Sequence, residues 1–208
     1  MMLRFMPGEW GATVSPQIDV DVERLRHGDL DALSSLIERY QDRLYRFLVR
    51  LVHEPATAED MFQQTWLRVA ERVKTYDRER SFENWLFTVA RNIAFDHLRR
   101  YRPESLDESL PSGDSRLDIL ASESPGGIEA VLAGERAALL SAALQTLPLI
   151  FREVLALRFE QDLKLEEIAQ VLAIPLSTVK SRLRRGLEDL RIILREKLGM
   201  GIEHEPSR

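Results

Sequence analysis

The chain of 208 residues contains no cysteine, which excludes disulfide bonds and thiolate metal sites. No apolar run approaches the roughly 20 residues that a membrane-spanning helix needs. The segment 1–17 also lacks an apolar stretch long enough for a signal peptide. The sequence therefore predicts a soluble protein of the cytoplasm, with no membrane insertion.

The sequence also lacks the common patterns of enzymes. It has no glycine-rich phosphate loop and no nucleophile elbow. The four histidines are not at the spacing of metal ligands: His27, His53, His97 and His204. We therefore expect no catalytic site, metal, cofactor or small-molecule substrate.

The net charge of −5 hides a segregation of charge along the chain. Arginine and lysine dominate the segment 180–195, whereas the segment 103–127 is acidic and rich in Ser, Pro and Gly. Local basic surface, rather than the total charge, sets affinity for nucleic-acid phosphates. The basic segment is thus a candidate for DNA contact, and 103–127 has the composition of a linker.

Apolar residues at steps of three and four predict an all-α fold of two small domains. Three helices over 26–102 can close a bundle: one from Asp29 to the break at Glu54-Pro55, one capped by Thr57, and one over Phe82–Arg102. Residues 1–25 are expected to be a mobile arm with a short helix from Asp19. The second helical domain spans 128–198, and 199–208 is a tail.

Residues 164–187 have the pattern of a helix-turn-helix, with a turn at Ile174-Pro175-Leu176. Ser177 is the predicted N-cap of the second helix, and Val179, Leu183 and Leu187 are predicted to point inward. A solvated amphipathic helix would show similar charges, but the turn and the preceding helix in register favour DNA contact. The outward residues are Ser177, Thr178, Lys180, Ser181, Arg184 and Arg185.

Aromatic residues stand beside cations in the segment 76–102, a combination suited to unstacked bases and a strand backbone. The alternative is that Phe82 and Trp85 are core residues that anchor a helix. The polar members are expected to lie outside the core, which favours a nucleic-acid surface. The candidate residues are Tyr76, Phe82, Asn84, Trp85, Arg91, Asn92, Arg99 and Arg100.

The helix predicted over 57–73 has a polar outer face of mixed charge. A row of amides and charges can dock a partner helix, but such a face more often contacts only water. The residues alone favour water for this face, which consists of Asp60, Gln63, Gln64 and Arg68.

Three motifs in this order resemble the extracytoplasmic-function sigma factors of the sigma-70 family. They are AEDMFQQTWLRV at 58–69, FENWLFTVARNIAFDHLRR at 82–100, and LPLIFREVLALRFEQDLKLEEIAQVLAIPLSTVKSRLRRGLEDLR at 147–191. The resemblance covers about 25–198. It implies a non-enzymatic protein that binds core RNA polymerase and directs it to promoters, with 26–102 as region 2 and 128–198 as region 4.

The resemblance also implies roles for the surfaces above. The face with Gln63 and Gln64 would dock the clamp coiled coil of the largest polymerase subunit, which reverses the preference for water, and region 4 would contact the flap. The segment 76–102 would open and read the −10 element, and the second helix of the helix-turn-helix would read the −35 element. An anti-sigma protein is an expected partner.

The chain departs from the family pattern at three positions. Ala173 stands in the turn where the family often has glycine, Pro175 where it has a small residue, and Gln64 where it often has an acid. A left-handed backbone at Ala173 would cost on the order of 1 kcal/mol.

Two other classes of protein are compatible with parts of the sequence. A stand-alone helix-turn-helix repressor or activator would bind duplex DNA as a dimer, without a strand-opening surface. An interaction adaptor would dock only proteins and would lack the basic outer face. The segment 76–102 argues against the first class, and the cations of 180–185 argue against the second.

Overall fold

The structure is a computed structural model that describes residues 16–78, 81–101 and 127–198. These ranges consist of helices and turns and contain no strand, in agreement with the predicted all-α class. The predicted arm before residue 16, the acidic linker up to residue 126, and the tail 199–208 lie outside the described residues.

Four helices form an N-terminal bundle. They are α1 (Pro16–Arg26), α2 (Leu30–Val52), α3 (Pro55–Arg72) and α4 (Phe82–Tyr101), with a 3₁₀ turn at Val73–Thr75 after α3. Asp29 is the N-cap of α2, and its Oδ1 accepts a hydrogen bond from the Asp31 backbone N–H at 3.0 Å. Phe47 of α2 and Phe87 of α4 meet edge to face in the core, with ring centroids 5.2 Å apart.

The start of α3 differs from the prediction. The helix begins at Pro55 after Glu54, so the prediction that Thr57 is its N-cap is wrong. Proline favours the first helical position because its fixed φ suits the helix and it has no N–H to satisfy. The Thr57 hydroxyl instead donates to Glu54 Oε2 at 2.6 Å.

Helix α1 lies in the second half of the segment 1–25 that the sequence assigned to an arm, and it confirms the short helix expected from Asp19, with its start at Pro16. Val22 and Leu25 are buried, and α1 packs along α2. Arg26 at its end donates from Nη1 to the Tyr76 carbonyl oxygen at 3.0 Å. Two buried apolar residues are thus enough to dock this mostly polar helix on the bundle.

A C-terminal bundle contains α5 (Gly127–Thr146), α6 (Leu149–Leu155), α7 (Leu165–Leu172) and α8 (Leu176–Lys197). A π-helical turn, Ala156–Glu160, continues α6. Helices α6 and α8 lie close together at Gly186, where a Cβ would lie 3.1 Å from Phe151 Cβ. Gly186 is the residue of α8 that faces α6 here, and the next residue, Leu187, is exposed. The prediction that Leu187 points inward is therefore wrong.

The turn between α7 and α8 depends on Ala173. This residue has φ 52° and ψ 42°, in the left-handed region that disfavours residues with a Cβ. The Ile174 N–H reaches back to the Ala169 carbonyl at 3.1 Å and so closes the end of α7. Alanine thus adopts the backbone for which the family often uses glycine.

We expect Ala173→Gly to stabilise the protein by about 0.5–1 kcal/mol. The gain from removing the left-handed strain exceeds the added entropy of the unfolded chain. The matched control is Ala169→Gly within α7, which should destabilise by about 0.5–1 kcal/mol or more because glycine is unfavourable inside a helix. Urea denaturation measures both. Equal effects of the two variants would contradict the strain at Ala173.

The two bundles pack against each other. Helix α2 contacts α6 and the π-helical turn, and α4 contacts α7. Buried apolar side chains of both bundles, from Val22 to Val179, form one continuous cluster. The described conformation is therefore closed, although the sequence predicts two domains joined by a flexible tether.

Candidate nucleic-acid interface

Helix α8 is the second helix of the helix-turn-helix. It starts at Leu176, and the Pro175 carbonyl accepts from the backbone N–H groups of Thr178 and Val179 at 2.9 and 3.1 Å. The prediction of Ser177 as the N-cap is therefore wrong, because Pro175 occupies that position. The shift by two residues leaves the face of the helix unchanged, since Val179 is fully buried as predicted.

The predicted DNA-reading face of α8 is open to solvent. Thr178 is half-buried, and the other five predicted residues are exposed: Ser177, Lys180, Ser181, Arg184 and Arg185. Arg184 forms an exposed ion pair with Glu188 at 2.9 Å, a contact that is weak in water. The structure thus brings the whole predicted set onto one accessible surface of α8.

Arg182 lies beside this face but points away from it. Its Nη1 donates to Glu153 Oε1 at 3.2 Å, and its side chain is mostly covered. The sequence counts Arg182 among the cations of the helix but gives no sign of this partner, which stands 29 residues away on α6.

Three aromatic rings form an aromatic corner at the start of α4: Tyr76, Phe82 and Trp85. Their centroids lie 5.2–5.9 Å apart in tilted and edge-to-face arrangements. Tyr76 and Phe82 are buried, and burial raises the pKa of the Tyr76 hydroxyl to about 12. Trp85 is half-buried. The core alternative therefore holds for Phe82, and Trp85 is the most accessible ring of the three.

Asn84 lies in the core, at 6% exposure, so the prediction that it cannot be a core residue is wrong. It falls one helical turn before Phe87, on the face of α4 that packs inward. Its Oδ1 has no hydrogen-bond partner within the described ranges. The prediction relied on the polarity of Asn84. Its position on the inward face of α4, which the side chain's polarity does not reveal, decides its burial.

The remaining polar residues of α4 differ in accessibility. Asn92, Arg99 and Arg100 are exposed. Arg91 is mostly covered: its guanidinium lies 4.1 Å from the centre of the Phe95 ring, and its Nε donates to Glu153 Oε2 at 2.8 Å. Of the polar residues predicted to contact DNA on α4, three are therefore accessible, whereas Arg91 is held between the two bundles by Glu153.

The outer face of α3 is exposed at all four predicted positions: Asp60, Gln63, Gln64 and Arg68. Leu67 stands in the middle of this face with 65% of its surface exposed. An apolar residue flanked by amides and charges is typical of the centre of a protein interface. The sequence analysis missed Leu67, although helical spacing from Gln63 and Gln64 places it on the same stripe.

Two further expectations can be compared with the described ranges. None of the helices there has both the length and the apolar character needed to cross a bilayer. Over the same residues, no group of three His, Asp or Glu side chains is arranged to hold a metal ion.

Comparisons with known proteins agree with this geometry. A family model of sigma-70 region 2 matches residues 36–104, and one of sigma-70 region 4 matches residues 143–191. The RNA polymerase sigma-H factor of Pseudomonas aeruginosa is 33% identical over 80% of this chain and 88% of its own length. The sigma factor CarQ of Myxococcus xanthus is 35% identical over 84% of this chain and 96% of its own.

Two solved structures share the fold. CnrH, solved with the cytosolic domain of CnrY, has a TM-score of 0.62 and 19% identity, covering 87% of this chain and 99% of its own. RpoE of Bartonella quintana, solved with the anti-sigma factor NepR, has a TM-score of 0.58 and 20% identity, covering 78% and 96%. The chain belongs to the RNA polymerase sigma factors of the sigma-70 family, which direct RNA polymerase to promoters.

Proposed function

We propose that three surfaces of this sigma factor have separate binding roles. The exposed face of α8 reads the −35 duplex, the start of α4 opens and reads the −10 element, and the outer face of α3 docks the clamp coiled coil of core polymerase. The observation that carries the proposal is the exposure of one cationic face on a helix-turn-helix together with a separate amide-rich face centred on Leu67.

The −35 reading rests on the chemistry of the exposed α8 residues. Arginine forks can pair with the O6 and N7 atoms of guanine in the major groove, and Ser and Lys can contact phosphates. Arg184 and Arg185 supply the forks, and Lys180 and Ser181 stand one turn earlier on the same face. The ion pair of Arg184 with Glu188 is exposed and is readily exchanged for DNA.

The −10 reading rests on the exposed part of α4. Asn92, Arg99 and Arg100 supply contacts to a strand backbone, and Trp85 supplies a ring on which an unstacked base can lie. Tyr76 and Phe82 are covered in the closed conformation and would have to move to stack on a base. Trp85 is therefore the aromatic residue to which we assign the first contact.

The partners follow from these surfaces. Core polymerase would contact α3 through its clamp and the C-terminal bundle through its flap, and it would supply all of the chemistry of synthesis. The solved complex of RpoE with the anti-sigma factor NepR supports an anti-sigma factor as a further partner. The protein would act in the cytoplasm, with 1–25 as an arm, 26–102 as region 2, 103–127 as linker, 128–198 as region 4, and 199–208 as tail.

We expect the purified chain to co-elute with core polymerase and to support run-off transcription from a promoter of its host. Gel filtration and a run-off assay measure the two activities. A chain that ignores core polymerase but binds a palindromic operator as a dimer would instead be a stand-alone helix-turn-helix regulator. That outcome would overturn the proposal, because such a regulator needs neither the α3 face nor a strand-opening helix.

A further inference from the structure

One carboxylate joins the two predicted DNA-reading helices. Glu153 of α6 is fully buried, and its two oxygens have different partners. Oε2 accepts from Arg91 of α4 at 2.8 Å, and Oε1 accepts from Arg182 of α8 at 3.2 Å. Arg91 belongs to the N-terminal bundle and Arg182 to the C-terminal bundle. The Glu153 carboxylate thus forms one ion pair across the interface, with Arg91 of the N-terminal bundle. It forms a second ion pair within the C-terminal bundle, with Arg182.

Two further arginines of the N-terminal bundle repeat this division of charge, and one contact runs the other way, from Gln161 Nε2 to the Arg43 backbone carbonyl at 3.3 Å. Arg43 of α2 donates to the Gln161 side chain at 3.0 Å and to its backbone carbonyl at 2.8 Å. Arg50 of α2 donates to Glu160 Oε1 at 2.6 Å and to Ser141 Oγ at 2.9 Å. At each contact that Arg43 and Arg50 donate, the N-terminal bundle supplies a guanidinium and the C-terminal bundle supplies oxygen acceptors. The interface is therefore electrostatically complementary.

Glu153 differs from Gln161 and Ser141, which are also buried, because it is an acid. It differs from the acid Glu160, which is partly exposed, because it is fully buried. Burial raises the pKa of its carboxyl group, and the two guanidinium groups oppose that effect by favouring the charged form. A buried ion pair adds little net stability, yet removing one partner leaves a costly unpaired charge. The contact between Glu153 and Arg91 therefore favours the closed arrangement of the bundles. Once the bundles separate, water can hydrogen-bond to both charged groups instead.

The closed arrangement conflicts with simultaneous reading of both promoter elements. The −35 and −10 elements lie about 25 base pairs apart, which is roughly 85 Å at about 3.4 Å per base pair. In the closed chain, α4 and α8 each place an arginine on the same carboxylate. The bundles must therefore separate before both helices reach their elements.

We propose that Glu153 is an interdomain latch that keeps the free sigma factor closed and withholds Arg91 from DNA. Opening the latch replaces the Glu153 carboxylate with water or with a phosphate of the promoter strand as the partner of Arg91. The inference rests on the proposed function for the roles of α4 and α8, but the closure itself can be measured without DNA or polymerase.

The test compares distances in the free full-length chain. The chain has no cysteine, so Glu38→Cys and Glu196→Cys, both at exposed positions, give one dye site in each bundle. We expect a single short interdye distance in the parent. Glu153→Gln should shift the mean to longer values, because the ratio of open to closed molecules rises on the order of a hundredfold. The matched control is Glu166→Gln, an exposed acid of α7, which should keep the short distance.

An unchanged distance in Glu153→Gln, with helical circular dichroism retained, would overturn the latch. If that variant loses its helical signal, Arg91→Gln removes the same contact from the other bundle, and a short distance there would also overturn it. Run-off transcription by the parent protein distinguishes a failure of the latch from a failure of the proposed function. A closed Glu153→Gln variant with an active parent refutes only the latch, whereas an open variant with an inactive parent refutes the proposed function.

Discussion

Replacing Arg184 and Arg185 together with alanine is expected to abolish initiation that depends on the −35 element, while binding to core polymerase stays intact. Both side chains are exposed on the outward face of α8, so their loss should not disturb the fold. Each arginine that forks onto a base contributes about 1–3 kcal/mol of discrimination. Losing both should weaken −35 binding at least about thirtyfold, since about 1.4 kcal/mol corresponds to a factor of ten.

The measurement is run-off transcription with holoenzyme at physiological salt, on templates with and without the −35 element. The matched control replaces Arg195 and Lys197 with alanine, which removes the same charge from the end of the same helix. The control should lose little activity, because these residues lie beyond the predicted DNA face. Loss of core binding by Arg184→Ala/Arg185→Ala would show that the polymerase-docking and DNA-reading surfaces have been assigned to the wrong bundles.

Leu67→Asp is expected to weaken binding to core polymerase by at least about thirtyfold without unfolding the sigma factor. Leu67 is 65% exposed, so an aspartate there remains in water in the free protein. On docking, the variant forfeits the burial of a leucine side chain, about 1.5–3 kcal/mol, and also buries a charge without a partner. Surface plasmon resonance or fluorescence titration with core enzyme gives the dissociation constant.

Leu30→Asp is a matched control for this variant. Leu30 is 69% exposed at the first position of α2, away from the outer face of α3, so the same substitution should leave core binding within about twofold. Equal loss of core binding in both variants would indicate a general effect on the chain. Unchanged binding in both would place the polymerase contact somewhere other than α3.

Periodicity and local chemistry made the helices predictable. The break before Pro55 follows from the conformational limits of proline, and the helix expected from Asp29 begins there. The outward face of α8 was also predictable, because Val179 in the core fixes the rotation of the helix. The errors at Thr57 and Ser177 are shifts of three and two residues, because α3 begins at Pro55 and α8 follows Pro175, both without a side-chain cap.

Tertiary packing decided what sequence patterns could not predict. Asn84 is a polar residue in the core, and Leu67 is an apolar residue on the surface, so side-chain polarity gave the wrong answer for one and no signal for the other. The partnership of Arg91 and Arg182 with Glu153 depends on how two bundles dock. No local pattern records which of many acids will meet two arginines from separate helices.

The hydrogen bond from Arg26 to the Tyr76 carbonyl gives α1 a part in holding the aromatic corner. A fragment trimmed to the start of the region 2 match, residue 36, would lose this guanidinium and the buried Val22 and Leu25. The backbone before α4 would then be released on one side. Two stretches 50 residues apart thus belong to one cooperative unit, and they should lose protection from amide hydrogen exchange together.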